Sequence, residues 1–333
     1  MTSLPQTILG DELTVSPLGY GAMAVTQVYG DVSDDVGLTA LNSAVDQGVT
    51  FIDTADVYGG GDNERLIAQL LTDRRDDITL ATKFGIRPFD PTSANPRPAT
   101  RGDREYVHAA CDESLQRLGI DTIDLYYMHR RDLSVPIEET VGAMAELVTS
   151  GKVRHLGLSE VTAAELEAAV AVHPIAAVQS EWSLWSRDVE ASVVPAAARL
   201  GVGFVPYSPL GRGFLTGAVT TFGDKDFRNN VPRLSGENLA RNTAVVEIVT
   251  AVASEIGATA AQVCLAWLRI RATSVGVASV PIPGSKNPAR IAENVGSLQV
   301  DLSDEQLGRL DAVADIVSGN RSADSTWVSQ GRE

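Results

Sequence analysis

Eight short apolar runs, each followed by a stretch with helical spacing, punctuate the chain and leave few folds open to it. The runs cover residues 18–23, 49–52, 78–82, 123–128, 153–158, 176–178, 203–206 and 277–282. Residues 34–47, 63–71, 104–118, 137–150, 163–172, 189–200, 243–256 and 260–271 carry apolar side chains at the period of a helix face. Gly48, Gly119, Gly151 and Gly201 close several of these stretches, as a left-handed residue commonly does at a helix C-terminus. Strands that alternate with helices pair in parallel, because the helix returns the chain to the start of the next strand. Eight such units favour closure into a (β/α)8 barrel, the TIM-barrel architecture. An open doubly wound sheet is the competing layout. It normally carries a Gly-x-Gly-x-x-Gly turn after its first strand, and Gly19-Tyr-Gly21-Ala-Met-Ala24 lacks that spacing in full.

With 333 residues, 44% hydrophobic and 21% charged, the chain can fill one large core, and single α/β barrels reach this length. One domain is therefore expected over residues 1–333, with its core at 8–317. Residues 7–9 and 13–15 flank Gly10-Asp11-Glu12 and read as a β-hairpin, placed as a plug over one barrel mouth. Two longer interruptions, 86–101 and 216–236, follow strands and so belong over the rim where a substrate would enter. Residues 303–317 read as an added helix, and the polar tail beyond as loose.

Three of the apolar runs stop at a side chain with chemistry. Asp53 follows the run 49–52, Lys83 the run 78–82 and His129 the run 123–128, while Tyr58 lies in the Gly-rich loop after Asp53. On neighbouring parallel strands these ends share the C-terminal rim, where barrel enzymes place their reactions. A phenol with a pKa of about 10 is a poor proton donor at neutral pH, but a nearby ammonium favours its phenolate, which should lower the Tyr58 pKa. A carboxylate keeps that ammonium charged, and an imidazole can donate a hydrogen bond to a substrate oxygen. Asp53, Tyr58, Lys83 and His129 thus supply a general-acid site for a carbonyl. Singly, each has an ordinary explanation: a helix cap, a turn residue, a solvated rim charge. Their joint arrival on neighbouring strand ends is harder to explain that way.

The net charge of −16 argues against a nucleic-acid or anionic-membrane partner, so an anionic ligand would need a local basic pocket. Cys111 and Cys264 fall among apolar helical neighbours and read as buried thiols, with no zinc or disulfide spacing. No apolar run approaches a membrane span and no signal peptide is visible, so a cytoplasmic location is expected. Nothing marks a self-association surface, and a monomer is expected.

The stretch Gly48-Val-Thr-Phe-Ile-Asp-Thr-Ala-Asp-Val-Tyr-Gly59, with Ala81-Thr-Lys-Phe84 and Asp124-Leu-Tyr-Tyr-Met-His-Arg130, resembles the aldo-keto reductases. Gly157-Leu-Ser-Glu160, Gln179-Ser-Glu-Trp-Ser-Leu-Trp-Ser186, Pro206-Tyr-Ser-Pro-Leu-Gly-Arg-Gly-Phe214 and Pro281-Ile-Pro-Gly-Ser-Lys286 with Glu293-Asn294 extend the likeness over residues 8–317. The pattern looks like the bacterial and plant branch that includes pyridoxal reductases and auxin-induced-protein-like reductases. The resemblance implies NADPH-dependent reduction of aldehydes and ketones on a (β/α)8 barrel. It places the catalytic tetrad on Asp53, Tyr58, Lys83 and His129, with Tyr58 the general acid, Lys83 and Asp53 its tuners and His129 orienting the carbonyl.

It also implies a nicotinamide stacked on Trp182, where the family usually carries Tyr, and a carboxamide held by Ser159 and Gln179. Glu160 stands where many members have Asn, so one amide contact fewer is implied. Further cofactor contacts fall on Gly21, Ala22, Met23, Asp53 and Tyr207, and on a pyrophosphate loop formed by Ser208, Pro209, Leu210, Gly211, Arg212 and Gly213. Gly284, Ser285 and Lys286 lead into a helix beginning near Pro288 that carries Arg290, Glu293 and Asn294. Two cations and the helix-start amides converge there, which favours NADP over NAD through the 2′-phosphate. A substrate cleft built from Met23, Tyr58, Phe84, His129, Trp182 and the two long loops would suit aryl or medium aliphatic carbonyls. A non-catalytic NADPH-binding regulatory subunit of the same fold stays open as an alternative. So does a metal-dependent hydrolase, although only His108, His129, His155 and His173 are available to it and only His129 ends a strand.

Overall fold

The computed structural model describes residues 4–88, 98–219, 221–223 and 226–333. A two-stranded antiparallel hairpin comes first, β1 (Thr7–Ile8) and β2 (Thr14–Val15). Seven parallel strands follow in sequential order: β3 (Gly19–Gly21), β4 (Phe51–Asp53), β5 (Thr79–Phe84), β6 (Ile123–Met128), β7 (Val153–Ser159), β8 (Ala177–Glu181) and β9 (Gly203–Tyr207). The eighth run, 277–282, closes the ring without forming a full strand. Phe204 donates its N–H to Ala278 O, Val280 N–H donates to Phe204 O, and Gly19 N–H donates to Pro281 O, bridging β9 to β3. Pro281 and Pro283 have no N–H to give, so the ladder on this segment stays interrupted. The architecture is the expected (β/α)8 barrel, with an irregular last strand.

Helices lie where their periodicity and caps place them. Arg104–Leu118 starts on the Asp103 carboxylate and ends at left-handed Gly119, and Ala163–Val172 opens with a Thr162/Glu165 capping box. The outer layer is one continuous apolar cluster between strands and helices. A smaller cluster fills the barrel interior: Phe51, Ala81, Leu125, Tyr127, Ala177 and Val205 with Leu9, Leu13 and Val15 from the hairpin. The hairpin is therefore a plug, and Gly203 is required beneath it, because a Cβ there would lie 2.5 Å from Leu9 Cδ2.

Along each strand, alternate residues face the two layers. On β4, β5, β6, β8 and β9 the residues that fill the barrel, Phe51, Ala81, Leu125, Tyr127, Ala177 and Val205, are odd-numbered, and even-numbered ones such as Ile52, Leu80, Phe84, Tyr126, Val178 and Phe204 point toward the helices; Ile123, at the start of β6, packs with the outer layer. The segment beyond residue 317, expected to be loose, is docked instead. Arg321 and Ser329 are buried, and turns at Ser325–Trp327 and Ser329–Gly331 run back over the strand ends. The added helix is shorter than expected, Asp304–Asp311, and continues as a tighter 3-10 turn at Ala312–Ile316.

Candidate active site

Asp53, Lys83 and His129 emerge at the ends of β4, β5 and β6, on one rim and on the inward parity of their strands. Lys83 Nζ donates to Asp53 Oδ1 at 2.5 Å and to Thr54 O at 2.7 Å, and Gln179 Nε2 donates to Asp53 Oδ2 at 2.8 Å. Tyr58 begins the turn Tyr58–Gly61, where Gly59, Gly60 and Gly61 all have positive φ. Only glycine takes up three left-handed positions in succession without strain, and the turn swings the phenol back over the lysine. Asn63 fixes the far side of this turn, accepting from Thr54 Oγ1 at 2.6 Å and donating to Ala22 O at 3.0 Å. The Lys83 ammonium lies 5.2 Å from the centre of the Tyr58 ring and 5.9 Å from that of Tyr127, and the His129 ring stands edge-on to Tyr58 at 5.9 Å.

Burial controls the protonation of this cluster. It pushes the Asp53 carboxyl up and the Lys83 ammonium down, while each partner's charge pulls the other back. His129 is held well below the ordinary imidazole range, by burial first and then by the charges of Arg130 and Lys83, so the ring is neutral. The Tyr58 phenol moves up rather than down, correcting the expectation from sequence. Desolvation and the Asp53 carboxylate outweigh the opposing pull of Arg130, because Lys83 directs its hydrogen bonds to Asp53 and Thr54 and meets the ring face of Tyr58.

A cavity of about 850 Å³ opens above this cluster. Asp53, Tyr58, His129 and Gln179 reach its wall from the rim, and Lys83 stays sealed beneath them. Gly21 and Met23 border it beside β3, and Tyr207, Ser208, Pro209, Leu210, Arg212 and Gly213 border it after β9. Ser208, Gly211, Arg212 and Gly213 have positive φ, so this loop coils tightly. Gly284, Ser285, Lys286, Arg290, Glu293 and Asn294 form the far end around the start of helix Pro288–Gly296. There Lys286 Nζ reaches Asp31 O at 3.1 Å, and Arg290 is exposed with no acidic partner among the described residues. A pocket with Tyr58 and His129 over the Asp53–Lys83 pair on one side and the cations Lys286 and Arg290 beside a helix start on another has donors suited to a nicotinamide dinucleotide.

The Aldo/keto reductase family profile matches residues 17–315. This chain belongs to the aldo/keto reductase family. A probable aldo-keto reductase from Glycine max is 42% identical over 320 residues, 92% of this chain and 88% of that protein. Among solved structures, a glycerol dehydrogenase from Gluconobacter oxydans superposes with a TM-score of 0.83 at 25% identity, covering 96% of this chain and 98% of that one. A thermostable aldo-keto reductase in complex with the inhibitor epalrestat does so with a TM-score of 0.71 at 28% identity, covering 93% and 100%. As a member of that family the protein is an oxidoreductase of carbonyl compounds on a (β/α)8 barrel.

Several residues singled out in the reductase sequence lie elsewhere. Trp182, expected to stack on a nicotinamide, is fully buried in the outer layer, its indole N–H donating to Glu190 Oε1 at 2.9 Å and its edge packed on Phe204. Phe84, expected in the substrate cleft, is stacked on Tyr126 in the same layer. Both occupy even-numbered positions. Tyr207, inward on β9, is among the aromatics that do border the cavity, with Tyr29, Tyr58, Phe227 and Trp327. Ala22 is buried behind the wall, Gly211 packs under the Trp185 ring, and Ser159 is buried with its Oγ accepting from Arg130 Nη1 at 3.1 Å. Glu160 is buried away from the cavity wall. Of the two long loops, Ile86 and Pro98 from one and Phe227 and Arg228 from the other reach the cavity, while residues 89–97, 220 and 224–225 lie outside the described residues.

Sequence reasoning missed Arg130, whose guanidinium lies over the Trp327 ring at 5.8 Å, and Trp327 itself, both on the cavity wall. Cys111 and Cys264 are buried thiols pushed up to about 12 by desolvation. His108 lies against Glu146, His155 against Asp11 and His173 against Pro174 O, all away from His129. Among the described residues no three His, Cys, Asp or Glu side chains gather as a metal site requires, and no single helix is long and apolar enough to cross a membrane.

Proposed function

We propose that this reductase converts aldehydes and ketones to alcohols with NADPH, Tyr58 acting as the general acid. Bound NADPH would supply the hydride, which goes to the carbonyl carbon. Tyr58 gives its phenolic proton to the carbonyl oxygen, and neutral His129 donates a hydrogen bond to the same oxygen. Lys83 and Asp53, buried as a pair, fix the phenol from below and carry a positive charge to the face of its ring. Tyr207 offers a flat aromatic wall for the nicotinamide, Gln179 an amide for its carboxamide, and the coiled loop 208–213 backbone N–H groups for the pyrophosphate. Lys286 and Arg290 would take the 2′-phosphate, which favours NADPH over NADH.

The observation that carries this reading is the convergence of Tyr58 and His129 on one cavity beside Asp53 and above the sealed Lys83 that Asp53 holds. The test is NADPH oxidation against a panel of aryl and medium-chain aldehydes and ketones, with NADH in parallel. Substrate-dependent oxidation faster with NADPH supports it. A chain that binds NADPH tightly yet reduces nothing in the panel would be a binding subunit instead.

A further inference from the structure

Glu160 follows β7 in a left-handed conformation, φ 51°, and its carboxylate is fully buried with no surface on the cavity. Such a group needs compensation from every side. Arg321 supplies two hydrogen bonds, Nη1 to Oε1 at 2.8 Å and Nη2 to Oε2 at 3.0 Å. Tyr207 donates its hydroxyl to Oε1 at 2.8 Å, Ser329 N–H donates to Oε2 at 2.9 Å, and Glu181 N–H donates to Oε1 at 3.2 Å. Arg321 is shared with Asp188, and Arg332 donates to the Glu160 carbonyl. One carboxylate therefore joins an aromatic of the cofactor side to the C-terminal segment. That segment places Trp327 and Val328 on the cavity wall, with the Trp327 ring on Arg130 beside His129.

We propose that Glu160 is a positioning residue whose clamp on Arg321 holds the C-terminal segment across the cavity mouth, making Trp327 a fixed wall that selects among carbonyl substrates. It rests on the reductase reading for its substrate half only. The geometry supports no direct role toward the carboxamide, since Glu160 faces away from the cavity. Glu160→Gln keeps an oxygen for Tyr207 but removes the charge that Arg321 needs, and Arg321→Met removes the other half.

The test compares wild type, Glu160→Gln, Arg321→Met, Arg321→Lys and Trp327→Ala by hydrogen exchange over residues 318–333, NADPH affinity by fluorescence, and steady-state kinetics with aryl and small aliphatic aldehydes. The clamp variants should lose exchange protection over that segment, and their KM for aryl aldehydes should rise by about tenfold with kcat and NADPH affinity within about threefold. Arg321→Lys should recover part of both. Trp327→Ala should copy the KM change while the Arg321 backbone stays protected. Unchanged exchange and KM in both clamp variants would overturn the proposal. A parallel fall in kcat, KM selectivity and NADPH binding with no recovery in Arg321→Lys would overturn it too, since that marks general loss of structure. If wild type reduces no carbonyl, the reductase reading fails, and the exchange data alone still decide whether Glu160 holds the segment.

Discussion

Two buried acid–base pairs sit on the same rim and behave in opposite ways. Asp53 receives one ammonium and one amide, and burial still drives its carboxyl up. Glu160 receives a two-pronged guanidinium, a phenol, a hydroxyl and two backbone N–H groups, and is held down at about 2 despite complete burial. The first pair is under-compensated and faces the reacting end of the cavity. The second is saturated and faces the packing behind it. Incomplete compensation leaves a charge able to respond to a neighbouring proton transfer, whereas full compensation fixes a segment in place.

The sharpest way to separate the two is to remove the phenol proposed as proton donor above the first pair. Tyr58→Phe should lower kcat by about a hundred- to ten-thousandfold while NADPH binding and melting temperature stay near wild type. A comparable kcat loss in Glu160→Gln would erase the distinction between the pairs. Stability should divide them the other way. Arg321→Met strands a carboxylate that is charged across the working range, and should cost about 3–5 kcal/mol in denaturant unfolding. Lys83→Met strands Asp53, which burial already inclines to take up a proton, so its cost should be less than half of that. Equal losses would show that Asp53 resists protonation as strongly as Glu160 does.

The acid limb of the stability curve is a finer probe of the same contrast. Glu160 drops from an ordinary 4.5 to about 2 on folding, so its contribution is complete above pH 4.5 and is lost as pH falls toward 2. Asp53 is raised, so it takes up its proton more readily when folded and opposes that loss. In Glu160→Gln the fall in unfolding free energy between pH 4.5 and 2 should shrink by an amount on the order of 3 kcal/mol. A variant curve parallel to wild type through that window would mean Arg321 does not hold the carboxylate charged.

The first pair is legible in the sequence and the second is not, for physical reasons. Asp53 and Lys83 are 30 residues apart on adjacent strands, and parallel register alone brings their ends together. Glu160 and Arg321 are 161 apart, and Arg321 lies in a polar tail with no periodicity to announce a docked position. Trp182 and Phe84 depart from expectation for a different reason, and the signal that places them correctly is present in the sequence. Inward residues such as Phe51, Ala81, Leu125 and Val205 are odd-numbered, as are Asp53, Lys83, His129 and Tyr207. Counting by twos along each run assigns Trp182 and Phe84 to the helix side and Tyr207 to the cavity side. The eighth run has the apolar character of a full strand, but Pro281 and Pro283 remove the donors a ladder needs.

A third cation extends the comparison into solvent. Lys286 is exposed and, among the described residues, its ammonium meets the Asp31 carbonyl and no buried carboxylate, so its removal strands none of them. As the proposed 2′-phosphate ligand it would add the attraction of an exposed pair in water, about 1 kcal/mol. Lys286→Ala should therefore weaken NADPH binding by about fivefold, leave NADH binding and melting temperature unchanged, and show its effect shrinking as salt rises. Equal weakening of both cofactors would place the 2′-phosphate elsewhere on the cavity wall, with Arg290 the next cation to replace. A loss of stability instead would mean that the contact with Asp31 holds the loop over the cavity, and that even this exposed cation is a clamp of the Arg321 kind.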